Sequence, residues 1–80
     1  MRDRYVTTDV ETQDIVLAAT LKVLGHKLDT IEKVGNKGIF FFNDVSEDLL
    51  KEYDIGNLLV EPVAFNSAIK ALTTASRRTL

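Results

Sequence analysis

The sequence predicts a small α+β domain in which an antiparallel sheet packs against helices on one of its faces. Two observations indicate this class. Two β-favouring runs flank the glycine-containing turn Gly35–Gly38, which is typical of a hairpin. Apolar residues on both sides of that hairpin recur at helical spacing, so helices are expected before and after it. The predicted order is β-α-β-β-α-α, in a single domain spanning residues 1–80.

The first part of the chain is predicted to form a short strand and one helix. Residues 4–7 favour extended structure, and Thr8 with Glu11 three residues later fits a capping box. The helix is expected to run from about residue 9 to 24 and to end at Gly25, since glycine readily takes the left-handed conformation of a helix end. Its apolar arc is wider than a surface helix needs, which predicts burial on two sides.

The predicted hairpin spans residues 27–43, and its second strand carries the run Ile39-Phe40-Phe41-Phe42. Because side chains alternate along a strand, Phe40 and Phe42 share one face and Ile39 and Phe41 the other. We expect the first pair to join the helices in the core. No predicted helix is left to cover the second pair, unless the N-terminal strand or residues 58–60 fold over that face.

Two helices are expected after the hairpin. Asp44 or Ser46 caps the first of them, and residues 54–57 end it. Pro62 suits the first turn of the last helix, where its missing N–H has no consequence. The inner face of that helix comprises Phe65, Ala68, Ile69, Leu72 and Ala75.

Composition excludes several classes of protein. The 80 residues are 45% hydrophobic and 28% charged, as in globular domains, so disorder is not expected. The chain has no cysteine, which excludes disulfides and thiolate metal sites. It has neither an apolar run near the ~20 residues of a membrane span nor the apolar stretch of a signal peptide. We therefore expect a cytoplasmic protein without membrane contact, stabilised by packing or self-association.

The sequence offers no catalytic constellation. His26 is the one histidine, and its position after Gly25 is explained more simply by a helix end than by proton transfer or metal binding. The acidic residues of the second helix are typical of a solvated face, and the serines lack a nucleophile elbow. We expect no enzyme, no cofactor and no metal.

Nucleic-acid binding is the alternative function. Basic residues of the N-terminal strand and hairpin would form the site: Arg2, Arg4, Lys27, Lys33 and Lys37. A two-stranded ribbon can enter a major groove, and sheet aromatics can stack on bases. The net charge of −2 and the interleaved Asp29 and Glu32 weigh against it, since phosphate binding needs several unopposed cations. The same lysines would also keep an edge strand soluble.

One resemblance covers the chain from about residue 5 to 72. The residues that carry it are Tyr5-Val6-Thr7-Thr8-Asp9, Leu24-Gly25-His26-Lys27-Leu28, the Phe-x-Phe strand ending Asn43-Asp44, and Tyr53, Gly56, Val60, Pro62 and Phe65. In this order they resemble a small uncharacterised domain family of bacterial phages, prophages and mobile elements. This family has no established activity, so the resemblance implies none for this chain. It implies an accessory protein in the host cytoplasm, with a host or phage protein as a possible partner.

These observations predict a non-catalytic protein that acts through protein–protein contact and forms a homodimer. Exposed apolar faces usually mark partner sites, and two-fold association is the commonest way of covering them. Besides the uncovered strand residues, helix one has an apolar surplus in Ile15, Val16, Ala19 and Val23. The predicted interface comprises Ile39, Phe41, Val16, Ala19 and Val23.

Overall fold

The computed structural model describes residues 6–78. The elements follow the predicted order, and they are β1 (Thr7–Thr12), α1 (Ile15–Val23), β2 (Leu28–Val34), β3 (Lys37–Ser46), α2 (Glu47–Asp54) and α3 (Pro62–Arg78). The strands form one antiparallel sheet in the order β1-β3-β2, so the phenylalanine strand is central. The predicted α+β class is confirmed.

The first strand occupies residues that were predicted to be helical. Residues 7–12 form β1, and α1 begins only at Ile15. The side chains of β1 alternate between exposed and half-buried, and the strand pairs with β3 from Thr7 to Thr12. Pairing along six residues that include three threonines and one valine therefore outweighs the local helix signal. Of the strand predicted at residues 4–7, Arg4 and Tyr5 lie outside the described residues, and Val6 precedes β1.

The helix cap was predicted at the wrong residue for the same reason. Thr8 and Glu11 lie within β1 and cap nothing. The N-terminal cap of α1 is Asp14, whose Oδ1 accepts a hydrogen bond from the backbone N–H of Val16 at 2.9 Å. Aspartate is among the best residues at this position.

Both α1 and α2 end in the same glycine motif. Gly25 has φ +96°, its N–H donates to the carbonyl of Lys22, and the N–H of His26 donates to the carbonyl of Leu21, both at 3.0 Å. These two bonds define a Schellman motif, so the backbone of His26 completes a helix end. Gly56, with φ +74°, ends α2 in the same way.

The central strand is longer than predicted and carries an irregularity. Asp44, predicted as a possible helix cap, lies inside β3 with φ +59°, where the pairing with β1 shifts register. The cap of α2 is instead Ser46, whose Oγ accepts a hydrogen bond from the backbone N–H of Leu49 at 3.4 Å. The predicted beginning of the last helix at Pro62 is confirmed.

The core lies on one face of the sheet. Phe40 and Phe42 are buried there among helical residues, as predicted, whereas Ile39 and Phe41 belong neither to the core nor to the hydrophobic residues packed against it. The buried cluster comprises Ala18, Ala19, Leu21, Phe40, Phe42, Val45, Ala68 and Leu72. We call the face that carries Ile39 and Phe41 the outer face.

Candidate functional site

The outer face has an apolar centre on β3. Phe41 is paired with Glu11 of β1 and Thr30 of β2, and Ile39 is paired with Glu32 of β2. Both apolar side chains are half-buried among these neighbours. Val34, which alternation places on the same face at the hairpin end, is 61% exposed. Strand β1 joins the sheet as an edge, so these residues do not cover this face.

Acidic side chains border this apolar centre. Alternation along β1 places Asp9 and Glu11 on the outer face, and the pairing with Ile39 places Glu32 there. Lys37, two residues before Ile39, is the cation that shares the face in the described part of the strands. Three carboxylates against one ammonium group make this surface unfavourable for phosphate.

The structure separates the residues of the nucleic-acid alternative. Lys33 is paired with Gly38 and lies on the helix side of the sheet, whereas Lys37 lies on the outer face. Lys27 precedes β2 and lines a shallow depression with Asp29 and Asp44. It is about 20 Å along the strand from Lys33, at ~3.3 Å per residue. Arg2 and Arg4 lie outside the described residues.

The helical part of the predicted interface lies on the other side of the sheet. The prediction that Ala19 is an interface residue is wrong, because Ala19 is 0% exposed and belongs to the core. Val23 packs against the core, and only Val16, 47% exposed, lies substantially on the surface. Helix α1 contacts both β1 and α3, which explains its wide apolar arc by burial within the chain. The five predicted residues therefore do not form one surface.

A second apolar surface surrounds Val16, and the sequence analysis missed it. A cavity of about 250 Å³, which we call the groove, opens between α1, the end of α2, the link 55–61 and the beginning of α3. It is lined by Val16, Thr20, Tyr53, Gly56, Leu58, Val60 and Phe65. Along the same stretch of chain, Ile55, Leu59 and Val63 are strongly exposed, with Leu59 at 92%. Apolar residues of a link without a strand partner were the signal that could have indicated it.

Tyr53 and Asp14 fix one wall of the groove. The hydroxyl of Tyr53 donates to Oδ2 of Asp14 at 2.9 Å, while Oδ1 of the same carboxylate caps α1. Burial, followed by this hydrogen bond and the negative charges of Asp14 and Asp54, raises the pKa of Tyr53 to about 12. The phenol therefore stays protonated at neutral pH, and one carboxylate joins the beginning of α1 to the last turn of α2.

The described part of the chain lacks two further kinds of feature. Within residues 6–78, no group of histidine, aspartate and glutamate side chains is arranged to hold a metal ion. None of the helices in that range combines the length and the apolar character that a membrane span requires.

Comparisons with known proteins add no family. No family model matches the chain, and searches of curated proteins and of solved structures found no match. The resemblance to a phage domain family therefore stays a prediction.

Proposed function

We propose that this protein is non-catalytic and acts through protein–protein contact, and that it self-associates through the outer face. The observation that carries the proposal is the arrangement of β3. Phe40 and Phe42 are buried in the core. Ile39 and Phe41 lie on the opposite face of the sheet, against which none of the described helices packs. A central strand that is apolar on both faces is typical of a sheet covered on both sides.

A second copy is an occupant of suitable shape. Two sheets can stack face to face at about 10 Å, with the side chains of their inner faces interdigitating. A chain of this size buries only ~60% of its unfolded surface, so burial of a further apolar face would raise a thin margin of stability. Two-fold symmetry lets one patch serve both copies.

The carboxylates on the outer face make this association dependent on salt. A two-fold contact brings the acidic outer faces of two copies together, so Glu11 and Glu32 add negative charge to both sides of the contact and disfavour the complex. Salt screens this repulsion over about 8–10 Å at 0.10–0.15 M. Self-association should therefore strengthen with salt, whereas nucleic-acid binding would weaken.

The test is the solution mass by light scattering at low and moderate salt. We expect a dimer that Phe41→Asp converts into a monomer, because the new carboxylate would be buried unpaired in the contact. Val63→Asp is the matched control, since Val63 is 71% exposed on α3, away from the outer face. If circular dichroism shows that Phe41→Asp is not folded, Phe41→Thr replaces it, because threonine keeps a high β-propensity.

Two results would contradict the proposal. A wild-type chain that stays monomeric at every concentration would leave the outer face without a second copy. A dimer that survives Phe41→Asp while Val63→Asp dissociates it would move the contact to the other side of the molecule.

The wider setting rests on the resemblance alone: an accessory protein of a phage or mobile element, acting on a host or phage protein in the cytoplasm. The nucleic-acid alternative predicts oligonucleotide binding that salt weakens and that Lys33→Glu together with Lys37→Glu reduces. The placement of these two lysines on different faces does not favour it.

A further inference from the structure

We propose that the groove binds a short segment of a partner protein through one large apolar side chain flanked by lysine or arginine. This inference goes beyond self-association, because the groove lies on the helix side of the sheet and the outer face on the other. It rests on the size, the lining and the charge of the groove.

The size of the groove suits a single large side chain. Its volume is about 250 Å³. A protein cavity of ~150 Å³ lined by apolar residues holds benzene, so this groove has room for a leucine or phenylalanine side chain with part of its backbone. It is smaller than the ~300–1,000 Å³ typical of sites for metabolites and cofactors.

The lining favours an apolar group. Most of the residues that form it are apolar, and its two hydroxyl groups already donate within the chain. Thr20 Oγ1 donates to the carbonyl of Val16 at 2.8 Å, and the Tyr53 hydroxyl donates to Asp14. A polar group that entered the groove would lose its water without gaining these protons, which is unfavourable.

The charges around the groove select the flanking residues. Its lining contains no lysine, arginine or histidine. Two carboxylates, Asp14 and Asp54, lie near Tyr53. A third, Glu61, follows Val60 of the lining and caps α3, where its carboxylate accepts from the backbone N–H groups of Val63 and Ala64 at 2.8 Å. Complementary cations on a partner would speed the encounter and exclude acidic competitors.

The same charges disfavour a second copy as the occupant. The exposed apolar residues nearest the groove, Ile55, Leu59 and Val63, lie in the stretch that contains Asp54 and Glu61. A two-fold contact through this stretch would bring like charges together, as on the outer face, but without the apolar sheet face whose burial opposes that repulsion there. A basic apolar segment of another protein avoids that repulsion.

Backbone amide spectra during a peptide titration test the proposal. The probe is a capped hexapeptide with a central Leu-Phe and two lysines on each side. We expect the amide signals of Val16, Leu58 and Phe65 to shift and to saturate with peptide concentration, with a dissociation constant at or below about 1 mM. A peptide with glutamates at the flanks, or with alanines at the centre, should bind at least about tenfold more weakly.

Two matched variants locate the site. Val16→Lys introduces an ammonium group into the groove and should weaken binding of the lysine-flanked peptide at least about tenfold. Val34→Lys makes the same change on the outer face and should leave the affinity unchanged. Both valines are exposed, at 47% and 61%, so both variants are expected to fold.

Three outcomes would overturn the proposal. The first is the absence of saturable shifts at the groove, and the second is equal binding of the glutamate-flanked peptide. The third is groove shifts that follow protein concentration without peptide, which would assign the groove to a second copy. The same titration on Phe41→Asp separates peptide binding from self-association. If this variant is a monomer and still binds the peptide, the groove proposal holds whether or not the wild-type chain forms a dimer, which light scattering decides.

Discussion

Asp14 should contribute more to stability than an exposed aspartate usually does, because its two oxygens serve different helices. Oδ1 accepts from the backbone N–H of Val16, and Oδ2 accepts from the hydroxyl of Tyr53, both at 2.9 Å. Loss of an N-terminal cap costs about 1 kcal/mol. Loss of the hydrogen bond to Tyr53 at a partly exposed site costs about 1 kcal/mol more. Asp14→Ala should therefore lower the free energy of unfolding by about 2 kcal/mol.

The two contributions can be separated by urea unfolding of four variants. Tyr53→Phe removes only the second hydrogen bond and should cost about 1 kcal/mol. Asp14→Ser keeps a capping oxygen but cannot also bind Tyr53, so it should cost the same amount. Combining Asp14→Ala with Tyr53→Phe should cost about 2 kcal/mol rather than 3, which gives a coupling of about 1 kcal/mol. Each 1 kcal/mol should lower the melting temperature by about 4–8 °C in a domain of this size.

The decisive quantity is that coupling free energy. Distant, independent sites add within about 0.3–0.5 kcal/mol. A coupling inside that margin would mean that the bond between Tyr53 and Asp14 adds nothing to stability and that packing alone holds the tyrosine in the groove wall. A full cost of 2 kcal/mol for Asp14→Ser would instead mean that serine fails as a cap here.

Two further predictions concern single residues. Because the folded chain raises the pKa of Tyr53 from 10.0 to about 12, the associated stability should be complete below pH 10 and be lost as the pH rises toward 12. The urea concentration at the midpoint of unfolding should therefore fall between pH 10 and 12. In Tyr53→Phe the part of this fall that is due to Tyr53 should be absent. Asp44 has φ +59° without being glycine, so Asp44→Gly should raise the free energy of unfolding by about 0.5 kcal/mol, as relief of the left-handed strain exceeds the added entropy of the unfolded chain. A lower stability on chemical unfolding would indicate that the Asp44 side chain makes a compensating contact.

The parts of the fold that the sequence predicted correctly depend on short-range patterns. Alternation alone places Phe40 and Phe42 together, whatever packs on them. Pro62 and the helical spacing that follows it define α3 in the same local way. The first strand could not be predicted so simply, because Thr8 and Glu11 fit a helix cap, whereas β1 depends on pairing with a strand about 35 residues later.

The candidate surfaces were predictable only where one element carries them. Ile39 and Phe41 lie on one strand, so alternation placed them on a common face. Ala19 and Val23 were expected at the surface because the apolar pattern of a helix does not reveal which element covers it. In the structure α3 and the sheet cover this side of α1. The groove combines residues of α1, α2, the link and α3, so its position depends on tertiary packing that no local pattern encodes.

The two surfaces differ in what they can recognise, and their positions make them compatible. The outer face is a sheet surface with an apolar centre, which suits a broad symmetric contact, although the acidic residues at its border weaken that contact at low salt. The groove is small and concave and formed partly by a link, which suits a single anchoring side chain. If both proposals hold, a dimer formed through the outer faces carries its two grooves on opposite sides. A short peptide could then occupy only one groove at a time, and any gain from bivalency would require a partner long enough to reach both.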